Sequence, residues 1–303
     1  MTIEKFDIEH QKRRPVFAGP STDDRSTINA TLDEDDAGAL FYETDTNDTY
    51  QWSGTGWFII SAQNKLNKFG RAPSGVQTTA TDIWDRADAT PTQQIWLAPT
   101  AARIHTIQST SASDVSGGTG ATTVIVSYLP TWSLAEQTET VSGNLNAGIA
   151  MNNAAVMIHR MKVVPQSTST TPNAGTITAT AATDATVTAQ INPGEGQTQM
   201  AIYGIPSTKK LNLKDFYATI NKSSGTLGTI NFSLLVNPNP DVQTVSFLTK
   251  NTRGLQSTGA SSGVFGFDPV YVVTGPAIIK VQGIASSNDI EASAGFNGYL
   301  ETV

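Results

Sequence analysis

Cysteine is absent from this chain of 303 residues, and its absence removes several kinds of chemistry at once. Without cysteine there is no disulfide, no thiolate ligand for zinc and no thiol nucleophile. The chain also lacks any apolar stretch near the ~18 residues that a membrane-spanning helix needs. Residues 1–6 have no apolar core and are not expected to act as a signal peptide. We therefore expect a soluble protein that is made and assembled in the cytoplasm.

Charged side chains are scarce as well. Asp, Glu, Lys and Arg make up 15% of the chain and hydrophobic residues 38%, both below the averages of globular proteins. The remainder is largely Thr, Ser, Ala, Asn, Gln and Gly, so hydroxyl and amide groups must keep the surface hydrated. Threonine also suits a pleated, half-buried surface because of its branched Cβ atom. The composition therefore favours an all-β protein.

The net charge of −7 is unevenly distributed along the chain. Residues 1–62 contain 12 acids and 5 bases, whereas residues 63–303 contain 14 of each. An acidic segment is a poor candidate for nucleic-acid binding, because contacts to phosphate need Lys and Arg. The basic cluster Lys12, Arg13 and Arg14 is short, and we interpret it as a solvated or partner-facing patch. We expect no nucleic acid and no membrane among the partners.

The N-terminal part of the sequence divides into two segments. Residues 1–37 lack helical or alternating periodicity and predict an extended acidic arm, with plain terminal disorder as the alternative. Residues 38–62 predict a small meander of three strands rich in aromatic residues. Three strands bury little surface, so this meander would gain stability by packing on neighbouring chains. A self-contained small sheet is the alternative.

The rest of the chain predicts two β-sandwich domains of the jelly-roll kind. Gly, Pro and Ser mark residues 63–81 as a linker. Short strands with alternating or continuous apolar residues then follow over 82–165, the first sandwich, and over 166–303, the second. Within the first sandwich, residues 94–97 and 122–129 are both predicted to be strands.

Few residues suggest catalysis or metal binding. His10, His105 and His159 have no carboxylate at ligand spacing. Asp82, Asp85 and Asp88 fit turn or cap positions better than a calcium loop, because the required Gly and Glu are missing. Glu136 and Glu139 form an imaginable glycosidase pair but lie in what reads as an exposed strand edge, and Glu195 is a lone acid. We therefore predict no catalytic residue, no metal and no cofactor.

Two groups of residues resemble proteins of tailed phages. The stretch from Gly38 to Thr46, continued by Tyr50 to Trp57, resembles a short module of minor virion proteins. Four further segments occur in an order similar to a family of phage structural proteins, many from marine short-tailed phages: Lys68–Arg71, Asp82–Asp85, Ser116–Val124 and Gly194–Tyr203. This second resemblance covers most of residues 68–236. It implies a virion component with β-sandwich domains, in trimeric form, and no catalytic residues.

The resulting hypothesis is a trimeric capsid decoration protein or head fibre, not an enzyme, anchored to the shell through its N-terminal region. Its partners would be copies of itself and the major capsid protein or another virion protein. The attachment candidates are Lys12, Arg13, Arg14, Asp33, Glu34, Asp35, Asp36, Phe41, Tyr42, Tyr50, Trp52 and Trp57. The alternative is a tail-associated fibre that binds host glycan on an aromatic platform of Phe265, Phe267 and Tyr271, although ordinary loop packing also explains these three.

Overall fold

The computed structural model of the protein describes residues 15–20, 26–44, 49–61, 64–87, 93–165, 172–221, 228–241, 247–257 and 260–303. The chain divides into two compact units, residues 1–65 and residues 66–303. Apart from the single helical turn α1 (Ser26–Asn29) and two 3₁₀ turns (Glu34–Asp36 and Leu145–Ala147), the described elements are strands. The predicted all-β fold is confirmed. None of the helices that the structure describes is long and apolar enough to cross a membrane.

The first unit is a four-stranded sheet with one covered face. Its strands are β1 (Val16–Gly19), β2 (Leu40–Glu43), β3 (Thr49–Trp52) and β4 (Trp57–Ser61), in that order across the sheet. β1 runs parallel to β2, whereas the β2–β3 and β3–β4 pairs are antiparallel. Phe17, Phe41 and Trp52 form a buried core with Ile28 of α1 and Ala39.

Two sheets of the second unit enclose its first hydrophobic core. One sheet has the order β10 (Ile149–Ala150), β7 (His105–Ser109), β12 (Ile177–Ala181), β13 (Val187–Ile191). The other has the order β11 (Met157–Val163), β8 (Thr123–Leu129), β9 (Gln137–Ser142). β8 shows why such strands form, because Val124, Val126 and Tyr128 alternate into the core while Ile125 faces outward.

A second pair of sheets encloses the other core of this unit. The first of these sheets has the order β14 (Ile202–Ile205), β19 (Ala277–Ala285), β16 (Gly228–Asn237), β17 (Leu248–Ser257), with β6 (Thr81–Asp82) also paired to β19. The second has the order β18 (Ala260–Thr274), β15 (Lys209–Asn221), β20 (Ile290–Thr302), β5 (Asn64–Val76). Buried Phe216, Phe232 and Phe296 are the largest side chains between them.

The observed sheets correct several of the predicted boundaries. Residues 64–76, predicted as part of a linker, form strand β5 on the edge of a sheet. The boundary placed between residues 165 and 166 does not separate sheets, because β12 pairs with β7 along five residues. Residues 94–97 form no strand. Asp82 and Ile83, predicted to open the first sandwich, belong instead with the second core, since β6 pairs with β19 and Ile83 is part of that core.

The predicted extended arm needs correction over its described part. Residues 16–19 form a strand paired with β2, and residues 26–29 and 34–36 form short helical turns. Ile28 and Leu32 pack on the aromatic core of the sheet, and the burial of these two side chains holds the otherwise polar segment against the sheet. Residues 1–14 lie outside the described residues.

Candidate functional site

The acidic run of the first unit is ordered by its own backbone. Asp33 caps the 3₁₀ helix Glu34–Asp36, and its Oδ1 accepts hydrogen bonds from the N–H groups of Asp35 (2.9 Å) and Asp36 (3.2 Å). Oδ2 of Asp36 in turn accepts a hydrogen bond from the N–H of Asp33, which completes a capping box. Glu34 and Asp35 are exposed. The turn therefore presents negative charge at a fixed place on the surface.

The aromatic attachment candidates divide between core and surface. Phe41 and Trp52 are buried, and Trp52 donates a hydrogen bond from Nε1 to the carbonyl oxygen of Asp33 at 3.0 Å. Trp57 is half-buried and packs edge-on against the ring of Trp52, with ring centroids 5.5 Å apart. Tyr50 is also half-buried beside this core. Phe41 and Trp52 are therefore corrected from contact residues to core residues, because the strands turn them towards α1.

The opposite face of this sheet carries exposed apolar side chains. In the register of the parallel pair, Val16 lies beside Leu40 and Ala18 beside Tyr42. Val16 is 65% exposed and Tyr42 39% exposed, although both are hydrophobic. Gln51 continues the same face on β3, opposite Leu40. We call Val16, Ala18, Leu40, Tyr42 and Gln51 the outer face of the first unit. Lys12, Arg13 and Arg14 lie outside the described residues.

The proposed aromatic platform lies on a strand rather than a loop. Phe265, Phe267 and Tyr271 all belong to β18 and pack, partly buried, against the second core. The ring of Phe265 lies 4.9 Å from that of Phe216, and the ring of Phe267 lies 5.9 Å from that of Tyr271. The planes of Phe267 and Tyr271 are tilted by 37° to each other, so these two rings do not form a flat surface.

One ionisable cluster, in which Lys68, His159 and Tyr203 are buried and Glu136 is 40% exposed, has the components of an acid–base site. The carboxylate of Glu136 contacts Nδ1 of His159 and accepts a hydrogen bond from the hydroxyl of Tyr203 at 3.2 Å. The His159 ring stacks on Tyr203 at a centroid distance of 4.1 Å. Lys68 Nζ donates a hydrogen bond to the carbonyl oxygen of His159 at 2.5 Å. Sequence analysis named Glu136 and His159 separately and missed Lys68 and Tyr203, because each comes from a different strand.

The surroundings of this cluster shift the pKa values of its lysine, its histidine and its carboxyl group. Burial lowers the pKa of Lys68 to about 7, with help from the nearby Arg160, and burial also lowers the pKa of His159. Burial opposes ionisation of Glu136, yet hydrogen bonds from His159 and Tyr203 hold the pKa of this carboxyl below its usual value. The lowered pKa of Glu136 therefore favours its ionised form beside His159 and Tyr203.

The same cluster lacks the third member that nucleophilic catalysis requires. Nε2 of His159 lies against the backbone at Gly204 and has no side-chain hydroxyl as a hydrogen-bond partner among the described residues. Its four side chains come from β5, β11, β14 and the segment before β9, so they join strands around both cores. The arrangement is therefore suited to connecting these strands rather than to catalysis.

The remaining acids also have structural partners. Glu139 accepts hydrogen bonds from the backbone N–H groups of Asn152 and Asn153, so it orders that turn. Glu195 pairs with Nη2 of Arg71 at 2.8 Å, and Nε of Arg71 pairs with Asp85 at 3.1 Å. Burial raises the pKa of Asp85 to about 6, against the opposing hydrogen bond from the Gln199 N–H. Glu195 is thus part of a network rather than a lone acid.

Asp82 and Asp85 do not share a cation site. Asp82 is buried, and its Oδ2 accepts a hydrogen bond from Lys280 Nζ at 2.6 Å, so its charge is already balanced. Asp88 lies outside the described residues. Over the described ranges, no group of three or more His, Cys, Asp or Glu side chains is placed to hold a metal ion.

A shallow surface pocket lies beside Arg71. It has a volume of about 260 Å³ and is lined mainly by polar side chains: Arg71, Ala72, Pro73, Thr219, Asn221, Glu291, Ala292 and Ser293. Within it, Asn221 donates a hydrogen bond from Nδ2 to Glu291 at 3.0 Å. Amide, hydroxyl and carboxylate groups of this kind can hydrogen-bond a polyhydroxylated ligand.

Comparisons with known proteins give only remote similarity. No protein-family model matches the chain. No curated protein is significantly similar to it in sequence. A structure of the infectious bursal disease virus Gt strain aligns over 78% of this chain and 72% of that one, with 12% identity and a TM-score of 0.21. The VP2 subviral particle of the same virus aligns over the same shares, with 9% identity and a TM-score of 0.17.

Proposed function

We propose that this protein is a non-enzymatic structural component of a tailed-phage virion, either a trimeric capsid decoration protein or a head fibre. The observation that carries the proposal is the difference in surface character between the two parts of the chain. A small N-terminal unit presents an exposed apolar face and an acidic turn, whereas residues 63–303, which contain the larger all-β body, carry 14 acids and 14 bases. The resemblance of residues 38–57 and 68–236 to phage structural proteins supports the virion context. Such a protein acts in the virion after synthesis in the host cytoplasm.

The outer face of the first unit is the proposed anchor. Exposed Val16 and Tyr42 provide apolar contact area on this face. The exposed acids Glu34 and Asp35, on the turn beside Trp52, would in addition favour a partner that carries Lys or Arg. The major capsid protein, or another virion protein, would supply that basic and apolar surface. Many copies on a symmetric shell require only modest affinity at each anchor.

The anchor is tested with full-length variants on shells that lack this protein. Val16→Asp and Tyr42→Asp change exposed side chains, so the unit should still fold. Each should reduce the bound copies at fixed protein concentration about tenfold, the effect of losing ~1.4 kcal/mol per contact. Val303→Asp, which changes a residue that is 71% exposed in the body, is the matched control and should bind normally. Normal decoration by both anchor variants would refute the anchor.

Deletion of residues 1–62 provides a coarser version of the same test. The shortened protein should be soluble and oligomeric but should fail to bind shells. Decoration by this protein would move the attachment surface into the body.

A tail-associated fibre that binds host glycan is the second candidate. The polar pocket beside Arg71 favours it more than the aromatic trio does, because the trio packs on the core. Asn221→Ala and Glu291→Gln should then abolish binding on a glycan array. If the wild-type protein binds no glycan on the array, the candidate is refuted.

A further inference from the structure

One edge of the second pair of sheets, which encloses the second core, is incompletely covered. β17 ends one of its sheets and β18 ends the other, and the two strands contact each other. The guanidinium of Arg253 on β17 lies 5.7 Å from the ring centroid of Phe265 on β18. Within the described chain, each strand pairs along one side only, β17 with β16 and β18 with β15. The other side therefore presents backbone N–H and C=O groups over 10 and 15 residues respectively.

The side chains of this edge are less buried than their position predicts. Phe265, Phe267 and Tyr271 point towards the second core but are only partly buried. On the other face of β18, Val264 is 73% exposed and Val272 is 47% exposed. Leu248, at the start of β17, is exposed as well. Partly buried aromatic side chains on the inner face of β18, together with exposed valines on its outer face, indicate a surface that is completed by another molecule.

We propose that this β17–β18 edge is the surface through which copies of the chain associate, with the edges of neighbouring copies packed together around a common symmetry axis. The inference deepens the proposed function, on whose self-assembly it rests, by naming the partner and the surface. From strand rise and sheet spacing, the edge is roughly 40 Å by 15 Å, which is about 600 Å² per copy. Two such faces bury roughly 1,200 Å², the lower end of specific interfaces.

The charge of the edge favours a second copy over an acidic or basic partner. Among its 25 strand residues, the charged ones are Lys250, Arg253 and Asp268, so both signs are present and neither dominates. Two identical surfaces of this composition meet without strong repulsion. Pro269 and the three charged residues oppose open-ended strand pairing along part of the edge. Residues 260–267 contain neither proline nor a charged residue, so this stretch remains open to pairing.

The test measures the mass of the full-length protein by sedimentation velocity over a range of concentrations. Val264→Lys and Val272→Lys place charge at exposed positions, so folding should be retained, and circular dichroism with melting temperature checks this. Their matched controls are Val303→Lys, at 71% exposure, and Leu134→Lys, at 47% exposure. The wild type and both controls should be oligomers, whereas the two edge variants should dissociate at least tenfold more readily.

Hydrogen exchange supplies a second measurement on the wild-type protein. Backbone amides of residues 260–267 should become more protected as protein concentration rises, and those of β9 should not change. A monomeric wild type, or edge variants that remain as oligomeric as the controls, would overturn the inference. An oligomer that uses this edge but fails to bind shells would refute the proposed anchor and leave the inference about the edge intact. A mass of two chains rather than three would contradict the trimer while leaving this contact in place.

Discussion

Replacing Asp82 by asparagine should destabilise the body more than any substitution of an exposed charge. Asp82 is fully buried, and Lys280 beside it is nearly so. Oδ2 of Asp82 accepts hydrogen bonds from Lys280 Nζ at 2.6 Å and from the Trp96 N–H at 2.8 Å. Oδ1 accepts a third from Gln282 Nε2 at 2.8 Å. The asparagine side chain has nearly the same shape, but the change removes the charge that balances Lys280 and replaces one acceptor oxygen by an NH₂ group that faces a donor.

The expected magnitude follows from the cost of an unpaired buried ion. Breaking one partner of a buried ion pair costs ~3–5 kcal/mol, because the remaining charge stays out of water. Lys280 keeps one favourable contact, since its Nζ lies 4.2 Å from the ring centroid of Phe247. The side-chain amide that Asp82→Asn introduces also retains one acceptor oxygen. We therefore expect the free energy of unfolding to fall by about 3 kcal/mol, the lower end of that range.

Urea unfolding followed by circular dichroism measures this change. Lys280→Met keeps the apolar stem of the side chain, and the double variant completes a thermodynamic cycle. The double variant should be at least ~2 kcal/mol more stable than the sum of the single effects predicts, because it leaves no unpaired charge. The control is Glu301→Gln, which breaks the exposed Lys210–Glu301 pair (2.8 Å) and should cost under ~1 kcal/mol. If Asp82→Asn costs no more than this control, or if the two single effects are additive, the reasoning is refuted.

Three further substitutions test other parts of the structure. Asp114→Ala should cost at least ~3 kcal/mol in urea unfolding, because this buried carboxylate accepts hydrogen bonds from the Ser109 hydroxyl and three backbone N–H groups; a cost under ~1 kcal/mol would contradict it. Burial lowers the pKa of Lys68 from 10.5 to about 7, so between these values the unfolded chain binds the extra proton and stability rises with pH. Lys68→Met should remove that rise from the pH dependence of the unfolding free energy. An unchanged slope would show that Lys68 is not the group responsible for the rise. Trp52→Ala should cost ~3–5 kcal/mol in the first unit and lower its hydrogen-exchange protection while leaving that of the body unchanged, whereas equal loss in both would show that they unfold together.

Strands with a strong local pattern can be predicted from the sequence. The pattern predicts a strand over residues 122–129, and β8 spans Thr123–Leu129. Its apolar residues alternate, so the pattern and the buried face coincide.

Strands whose burial depends on distant neighbours cannot be predicted in this way. β5 contains Gly70, Pro73 and Gly75, which indicate a loop when only local preference is considered. Gly70 is required because a Cβ atom there would approach the carbonyl oxygen of Ile83 within 2.3 Å. β17 escapes prediction for a related reason, since only Leu248 and Leu255 are apolar among its ten residues and the hydrophobic pattern of this edge strand is weak.

The buried clusters are hidden from sequence analysis by their long-range origin. Lys68 and His159 lie 91 residues apart, and Asp82 and Lys280 lie 198 residues apart. No local spacing rule connects such positions, because the contacts depend on how strands of different sheets come together. The acidic run Asp33–Asp36 shows the opposite case. Its capping box is a local pattern that could have been recognised, but the surrounding polar residues favour an extended arm.

The location of the charges explains how the body can combine stability with a neutral surface. Lys68, Asp82, Asp85, Asp114 and Lys280 are all buried, although charged residues are only 15% of the chain. These groups hold together strands that are distant in sequence, and they leave the exterior mainly to hydroxyls, amides and small apolar side chains. A surface with few charges produces little repulsion between identical copies, which is the condition that dense packing on a shell requires. Under the proposed function, the exposed acids of the first unit would help the anchor to distinguish its partner from other copies of the same chain.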